Sequence, residues 1–228
     1  MITKKSKLVW IFAVLILLIV GFYNYQLNTA REESENLKKL YQAKNNSGFL
    51  TLLRQGHSVI PLAETLEKIS KVTDQEDPAK VQKLIERAKS QADEATQFLI
   101  TLVEFSDNYV NDTAPQFMVN QTVMTSKEQE DLFILAMQAD VFTIMYEVSY
   151  SYWKDKPKQI PQKTKNTFAS IAKELRAMDD TLLQFKEMAA HELVWGQFAT
   201  TEQLKILTMR TMKPHFEELI KIMTEFRE

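Results

Sequence analysis

Few side chains in this sequence are spaced for metal chemistry. Residues 191–195 read HELVW and begin like the H-E-x-x-H helix of zinc proteases, in which two histidines four residues apart bind one metal ion. Trp195 stands where the second histidine would be, so the motif is incomplete. Glu187 and His191 are also four residues apart, but such a pair is typical of a solvated helix surface. We therefore expect no metal site.

Patterns for nucleophilic or cofactor chemistry are also missing from the sequence. The chain has no cysteine, which excludes a thiol nucleophile, and it lacks a G-x-S-x-G turn, a phosphate-binding loop and a dinucleotide fingerprint. The adjacent acids Glu76 and Asp77 are explained as residues that favour a helix start. We expect no cofactor and no catalytic residue, so an enzyme is the least favoured functional class.

The strongest candidate contact surface is aromatic and lies in the helix predicted from Lys127 to Trp153. At 100° per residue, one side of this helix is apolar, and a second side, roughly 120° away, is aromatic. The apolar side comprises Met137, Val141, Ile144, Met145 and Val148, and the aromatic side comprises Phe142, Tyr146, Tyr150 and Trp153. Either the aromatic side is buried under residues 49–72, or it is partly exposed and binds a partner or ligand.

A second candidate surface is the lysine-rich connection that follows this helix. Its lysines are Lys154, Lys156, Lys158, Lys163 and Lys165, and Asp155 is the one acid among them. Such a cluster suits contact with anionic lipid headgroups or with a polyanionic wall polymer. The alternative is a solvated connector without a partner.

The elements that position these residues are predicted to be helices. Four glycines and six prolines in 228 residues are few for a protein with many turns between strands. Helix starts are indicated at Asp77-Pro78, at the capping box Ser126–Gln129 and at the pair Thr200 and Gln203. The sequence therefore predicts an all-α, up-and-down bundle of four to five long helices.

Heptad and helical spacings identify the sides that pack in this bundle. We expect the stripes Val81, Ala88, Ala95, Leu102 and Tyr109; Phe168, Ile171, Leu175, Met178, Leu182, Phe185 and Ala189; and Met209, Met212, Phe216, Leu219, Met223 and Phe226. The small residues Ala88, Ala92 and Ala95 predict a close helix–helix contact. Residues 49–72 form the fifth element, with a kink or break near 57–60 because Pro61 removes a backbone donor.

The N-terminus is predicted to be a membrane anchor. Residues 8–22 are all apolar apart from Gly21, and residues 8–25 would span roughly 27 Å as a helix. Lys4, Lys5 and Lys7 precede this run and no acid does, which places the N-terminus in the cytoplasm. The expected organisation is a cytoplasmic segment 1–7, an anchor 8–25, a helical stalk 26–46 that ends at the residues NNSG, and an extracytoplasmic bundle 47–228.

A cleaved signal peptide is the alternative to an anchor. It would need small residues at the cleavage site, and the candidate Asn28-Thr29-Ala30 has asparagine at the −3 position. An uncleaved single-pass anchor is therefore favoured, and cleavage would change the tethering but not the compartment.

The net charge of the chain and its predicted membrane anchor limit the functions that we expect. Beyond the three N-terminal lysines, the chain holds 25 basic and 30 acidic residues, a net charge of −5, which gives no indication of a nucleic-acid partner. We expect a membrane-anchored module that acts by protein–protein interaction, with the bilayer bound through residues 8–25 and a membrane or envelope protein as partner. The alternative is a binder or carrier of an apolar small molecule or lipid in the bundle core, since the chain has ten methionines and thirteen phenylalanines.

Overall fold

A computed structural model describes residues 4–55, 59–105, 126–154, 159–190 and 201–228, with the backbone alone for residues 4–18, 38, 41–43, 45–46, 54–55, 105, 126, 188–190 and 201–203. Within these ranges the regular structure is entirely helical, which confirms the predicted all-α class. The helices are α1 (Lys4–Gln55), α2 (Ile60–Ser70), α3 (Pro78–Phe105), α4 (Ser126–Gln138), α5 (Val141–Lys154), α6 (Gln162–Ala190) and α7 (Thr201–Arg227).

The chain forms two compact units, Met1–Lys44 and Asn45–Glu228. The first consists of most of α1, and its apolar side chains from Ile19 to Leu40 are largely exposed. The second holds the end of α1 and the other six described helices. Contacts inside this second unit decide where the functional side chains lie.

The helices of the second unit form a ring around one core. Helix α2 packs on α3 and α6, α3 also packs on α4 and α5, and α7 closes the ring by packing on α6, α4 and α5. The arrangement confirms a helical bundle, in which α4 and α5 together occupy one position. Apolar stripes that would be unfavourable in water are buried against one another.

The predicted stripes supply this core. The side chains of Val81, Ala88, Ala92, Ala95 and Leu102 in α3 are buried, as are those of α6 from Phe168 to Phe185. In α7 the stripe from Met209 to Met223 is buried as well, and Phe226 is partly so. The predicted start of α3 is confirmed, because Asp77 Oδ1 accepts a hydrogen bond from the Ala79 amide at 3.0 Å. Ala189 and Tyr109 lie outside the described side chains.

Helix α1 continues past the residues that were expected to stop it. The sequence NNSG at 45–48 predicts a stalk end, but the helix runs through it to Gln55. Phe49 and Leu53 follow one turn apart and are 0% and 1% exposed. Burying two such side chains contributes about 1.5–3 kcal/mol each, more than the roughly 1 kcal/mol that a helical glycine costs. Residues 56–58, at which the break near 57–60 is expected, lie outside the described ranges; α2 begins at Ile60.

The single helix predicted from Lys127 to Trp153 is two helices, divided at Asp140. Asp140 caps α5: its Oδ1 accepts from the Phe142 amide and its Oδ2 from the Thr143 hydroxyl, both at 2.8 Å. The hydroxyl of Thr96 in α3 donates to Oδ1 at 3.0 Å. An aspartate that offers the backbone such bonds favours a new helix start over continuation of the old helix.

Replacing Asp140 by alanine is expected to destabilise the bundle. The variant loses the cap of α5 and the bond from Thr96, which corresponds to about 1–3 kcal/mol of unfolding free energy. Urea unfolding of the full chain in mild detergent, followed by circular dichroism, measures the loss. Asp131→Ala on exposed α4 surface is the control and should change the free energy by less than about 0.5 kcal/mol. Equal values for both variants would contradict the role of Asp140.

Two arginine–glutamate pairs connect neighbouring helices. Arg176 of α6 donates to both carboxylate oxygens of Glu67 in α2, at 2.5 and 3.0 Å. Arg210 of α7 forms the same two-point pair with Glu128 of α4, at 2.8 and 3.3 Å. Planar two-point pairs of this kind fix the relative position of two helices as well as joining them. They therefore hold α2 on α6 and α4 on α7.

Replacing Glu67 by glutamine is expected to make unfolding less sensitive to acid. Hydrogen bonds from Arg176 hold the pKa of the Glu67 carboxyl below its usual value of 4.5, although partial burial acts in the opposite direction. The folded chain therefore binds fewer protons than the unfolded chain, and the stabilisation present above about pH 4.5 is lost as the pH falls through the lowered pKa. The Tm of E67Q should change less than that of the parent between about pH 5 and pH 3. Glu94→Gln, on an exposed position of α3, should behave like the parent; an unchanged acid response of E67Q would contradict this account.

One described helical region could cross a membrane by length and composition, and it is not the predicted anchor. It is Lys127–Lys154, which comprises α4 and α5 and is partly buried inside the fold. Core helices of soluble proteins have the same character, and Leu132, Ile144 and Met145 of this region lie in the bundle core. It is thus weak support for membrane association. Residues 8–18 of the predicted anchor lie outside the described side chains.

Candidate interaction groove

Helix α5 buries its apolar side and exposes its aromatic side. Val141, Ile144 and Met145 are 0–3% exposed, whereas Tyr146, Tyr150 and Trp153 are 53%, 55% and 71% exposed. The interpretation that residues 49–72 cover the aromatic side is wrong, because α2 packs on α3 and α6 while α5 packs on α3 and α7. Only one side of α5 therefore meets the core.

The fourth residue of the predicted aromatic side behaves differently from the other three. Phe142 is half-buried and packs against the core. Its ring lies 6.4 Å from that of Tyr146, centroid to centroid, with the planes tilted by 48°. This tilted contact is a favourable aromatic geometry, so Phe142 supports Tyr146 from the core side. Met137 of the predicted apolar side is 49% exposed, because the break at Asp140 separates it from α5.

The exposed rings line a groove between α5 and α3, which we term the aromatic groove. Its volume is about 200 Å³. Tyr146, Tyr150 and Trp153 recur at spacings of four and three residues, so they project along one edge of α5. Polar residues of α3, also spaced along one helix face, form the opposite wall. The complete lining is Gln82, Ile85, Glu86, Lys89, Tyr146, Ser149, Tyr150, Tyr152 and Trp153.

Two lysines place their ammonium groups against rings at this groove. Lys89 Nζ lies 4.5 Å from the centroid of the Tyr146 ring, and Lys154 Nζ lies 5.9 Å from that of Tyr150. Both distances allow a cation–π attraction, worth about 0.5–1 kcal/mol at an exposed site. The contacts restrict the two rings and keep positive charge at the groove. Trp153 has no such lysine contact among the described residues.

The other polar atoms of the groove are hydrogen-bonding groups. Gln82 Nε2 donates to Glu86 Oε1 at 3.0 Å, which orders this pair on α3. Burial raises the pKa of the Tyr152 hydroxyl, so this group stays neutral and keeps its proton as a donor. The groove thus joins exposed apolar ring area to amide, carboxylate, ammonium and hydroxyl groups. It can hold a partner side chain and also hydrogen-bond the chain beside it.

The size of the groove favours a partner surface over a small-molecule site. Typical ligand pockets enclose roughly 300–1,000 Å³ and cover most of their ligand. At about 200 Å³ the aromatic groove is smaller, and its rings are more than half exposed. A contact that covers the rings from outside would remove this apolar area from water, which is the usual role of an aromatic cluster at an interface.

The predicted lysine surface is only partly described, and its members differ in surroundings. Lys154 and Lys163 are exposed, and Lys154 lies at the aromatic groove. Lys165 is half-buried and donates a 2.6 Å hydrogen bond to the Val72 carbonyl oxygen. It therefore joins the start of α6 to the turn after α2. Lys156 and Lys158 lie outside the described residues.

Within the described ranges no group of three or more metal-ligating side chains converges. Glu187 is exposed at the end of α6, and His191 and His57 lie outside those ranges. His215 of α7 faces α6 instead: its Nδ1 lies 2.6 Å from Glu174 Oε1 and its Nε2 lies 3.0 Å from the Thr181 hydroxyl. These contacts make His215 a link between two core helices.

The α3 wall is the part of the groove that sequence reasoning missed. Gln82, Glu86 and Lys89 recur at intervals of four and three residues, which indicates one polar helix face and nothing more. Their pairing with the aromatic side of α5 depends on the packing of two helices that are distant in sequence.

The start of α5 had a weak signal in the sequence. Asp140 followed by Thr143 resembles a helix cap, and this pattern could have placed the start of α5.

No protein-family model, curated protein or solved structure matches this chain.

Proposed function

We propose that this protein is a membrane-anchored, extracytoplasmic helical bundle that acts by binding another membrane or envelope protein at the aromatic groove. It would serve as an accessory, scaffold or sensor-partner subunit without a catalytic activity of its own. The observation that carries the proposal is the exposure of Tyr146, Tyr150 and Trp153 along one groove. Clustered Tyr and Trp side chains are enriched where proteins bind one another.

The anchor in this proposal is residues 8–25. Fifteen consecutive residues from 8 to 22 are apolar apart from Gly21, and they lie within the continuous helix α1. Ile19, Phe22 and Tyr23 of the anchor are 59%, 65% and 66% exposed, so the folded chain does not bury them. A bilayer would cover such side chains, and Tyr23 and Tyr25 suit its headgroup region.

The proposed orientation follows from the charges that flank the anchor. Lys4, Lys5 and Lys7 hold the N-terminus in the cytoplasm, which leaves the second unit outside.

Protease treatment of intact cells tests the orientation. We expect the full chain to remain in the membrane fraction and the second unit, Asn45–Glu228, to be degraded from outside. Lys4→Glu, Lys5→Glu and Lys7→Glu together should weaken or invert the orientation, because the basic flank determines it. Protection of the second unit in the parent chain would reverse the topology. A mature N-terminus near Arg31 would show that the segment is a cleaved signal peptide.

Site-specific photo-crosslinking tests the interaction. The photoreactive residue p-benzoylphenylalanine replaces Tyr150 in the full chain, and intact membranes are irradiated. We expect a discrete adduct with another protein, because position 150 lies in the groove. The same residue in place of Leu183, which is 42% exposed on α6, is the control and should not give this adduct. Absence of a protein adduct at position 150 would overturn the proposed interaction.

A further inference from the structure

We infer that the aromatic groove docks an acidic segment of the partner protein. Carboxylates of this segment would pair with Lys89 and Lys154, and an apolar side chain next to them would lie against Trp153. The inference rests on the proposed function and specifies the chemistry of the partner. Its basis is the charge at the groove, the placement of the two ammonium groups and the concave shape of the site.

The groove is locally positive on a protein that is acidic elsewhere. Lys89 and Lys154 bring two positive charges to it, and Glu86 brings one negative charge, whereas the chain beyond its N-terminal lysines has a net charge of −5. The Glu86 carboxylate is also engaged by Gln82. Partner surfaces are usually complementary in charge, and this complementarity selects the partner and its orientation. An acidic segment fits the groove, and a basic one would be repelled by both lysines.

The ring contacts hold both ammonium groups where a carboxylate can reach them. An ammonium ion has three N–H donors, and its position over a ring, as at Lys89 and Tyr146, leaves donors directed away from the ring. Within the described part of the chain, neither Lys89 nor Lys154 has a hydrogen bond or ion pair with another side chain. Both charges are therefore available to a partner, and their motion is already restricted by Tyr146 and Tyr150.

Shape favours a polypeptide segment over a lipid surface. A bilayer is met by protruding apolar side chains, whereas these rings line a groove of about 200 Å³. The ammonium groups over Tyr146 and Tyr150 would have to enter the hydrocarbon with the rings, at a large cost in desolvation. A side chain of a partner segment can instead enter the groove and cover Trp153, the most exposed of the three rings.

The test extends the crosslinking at position 150 in intact membranes. The crosslinked peptide of the partner is identified by mass spectrometry and is expected to carry an excess of Asp and Glu. In the same background, Lys89→Glu with Lys154→Glu should reduce the adduct yield about tenfold, because both contacts become repulsive. Lys89→Arg with Lys154→Arg keeps the charges and should retain the yield within about twofold.

A matched pair of charge reversals controls for the overall change in charge. Lys173→Glu with Lys221→Glu alters exposed positions of α6 and α7 and should leave the adduct yield unchanged. A protein adduct through a non-acidic peptide, or one insensitive to reversal of Lys89 and Lys154, would overturn this inference and leave the proposed function intact. Crosslinking to lipid or to a wall polymer in place of protein, or no adduct at all, would overturn both.

Discussion

Replacing Phe216 by alanine is expected to lower the free energy of unfolding by about 3–5 kcal/mol. The Phe216 side chain is 0% exposed and lies in α7, the helix that packs on α6, α4 and α5. Truncation loses the apolar transfer energy of the ring and leaves a cavity that the surrounding helices cannot fill completely. A loss of this size is a large part of the stability of a typical domain.

The measurement is urea unfolding of the full chain in mild detergent, followed by circular dichroism. Leu207→Ala is the matched control, because Leu207 lies on the same helix but is 48% exposed; it should change the free energy by less than about 1 kcal/mol. Phe216→Leu retains most of the buried volume and should fall between the two. Similar stabilities of F216A and L207A would show that α7 does not close the bundle core.

Replacing Trp153 by alanine is expected to have the opposite profile: loss of partner binding with almost unchanged stability. Trp153 is 71% exposed, so its removal costs the fold little, by less than about 0.5 kcal/mol. At an interface, however, truncation of a central tryptophan costs about 2–4 kcal/mol of binding free energy. Crosslinking from position 150 should therefore fall to background in this variant.

Two control variants distinguish a role of the aromatic groove from a general effect of removing an exposed aromatic side chain. Phe133 is an exposed aromatic residue of α4, 36% exposed, and it does not line the groove. Phe133→Ala should leave the crosslinking yield unchanged, and Trp153→Phe should restore part of it. Strong destabilisation of W153A with unaltered crosslinking would place Trp153 in the structural core and end the proposed role of the groove.

The helical segments and the residues of the core could be predicted from the sequence alone. Periodic apolar residues such as Phe168, Met209 and Phe216 are buried as expected, because a stripe of this kind has no other way to leave water in an all-helical chain. A local signal also sufficed at one helix end, since Asp77-Pro78 begins α3. These features depend on interactions within a few residues, which a sequence displays directly.

Helix continuity depended on contacts that the sequence does not display. The residues at 45–48 disfavour a helix locally, but burial of Phe49 and Leu53 in the core outweighs this preference. At Asp140 the outcome is the reverse, because a hydrogen bond from Thr96, 44 residues earlier in the chain, stabilises a break in an otherwise apolar helix. In both cases a distant partner supplies the deciding free energy.

The candidate site depended partly on the sequence and partly on the tertiary structure. The sequence identified Tyr146, Tyr150 and Trp153 as one helix side, since their spacing alone places them together. It could not decide between burial and exposure, because that depends on whether α2 packs on α5 or on α6. It also could not supply Lys89 and the other polar residues of α3, which join the rings only through the packing of two helices. Spacing along one helix is local information, whereas a groove between two helices exists only in the tertiary structure.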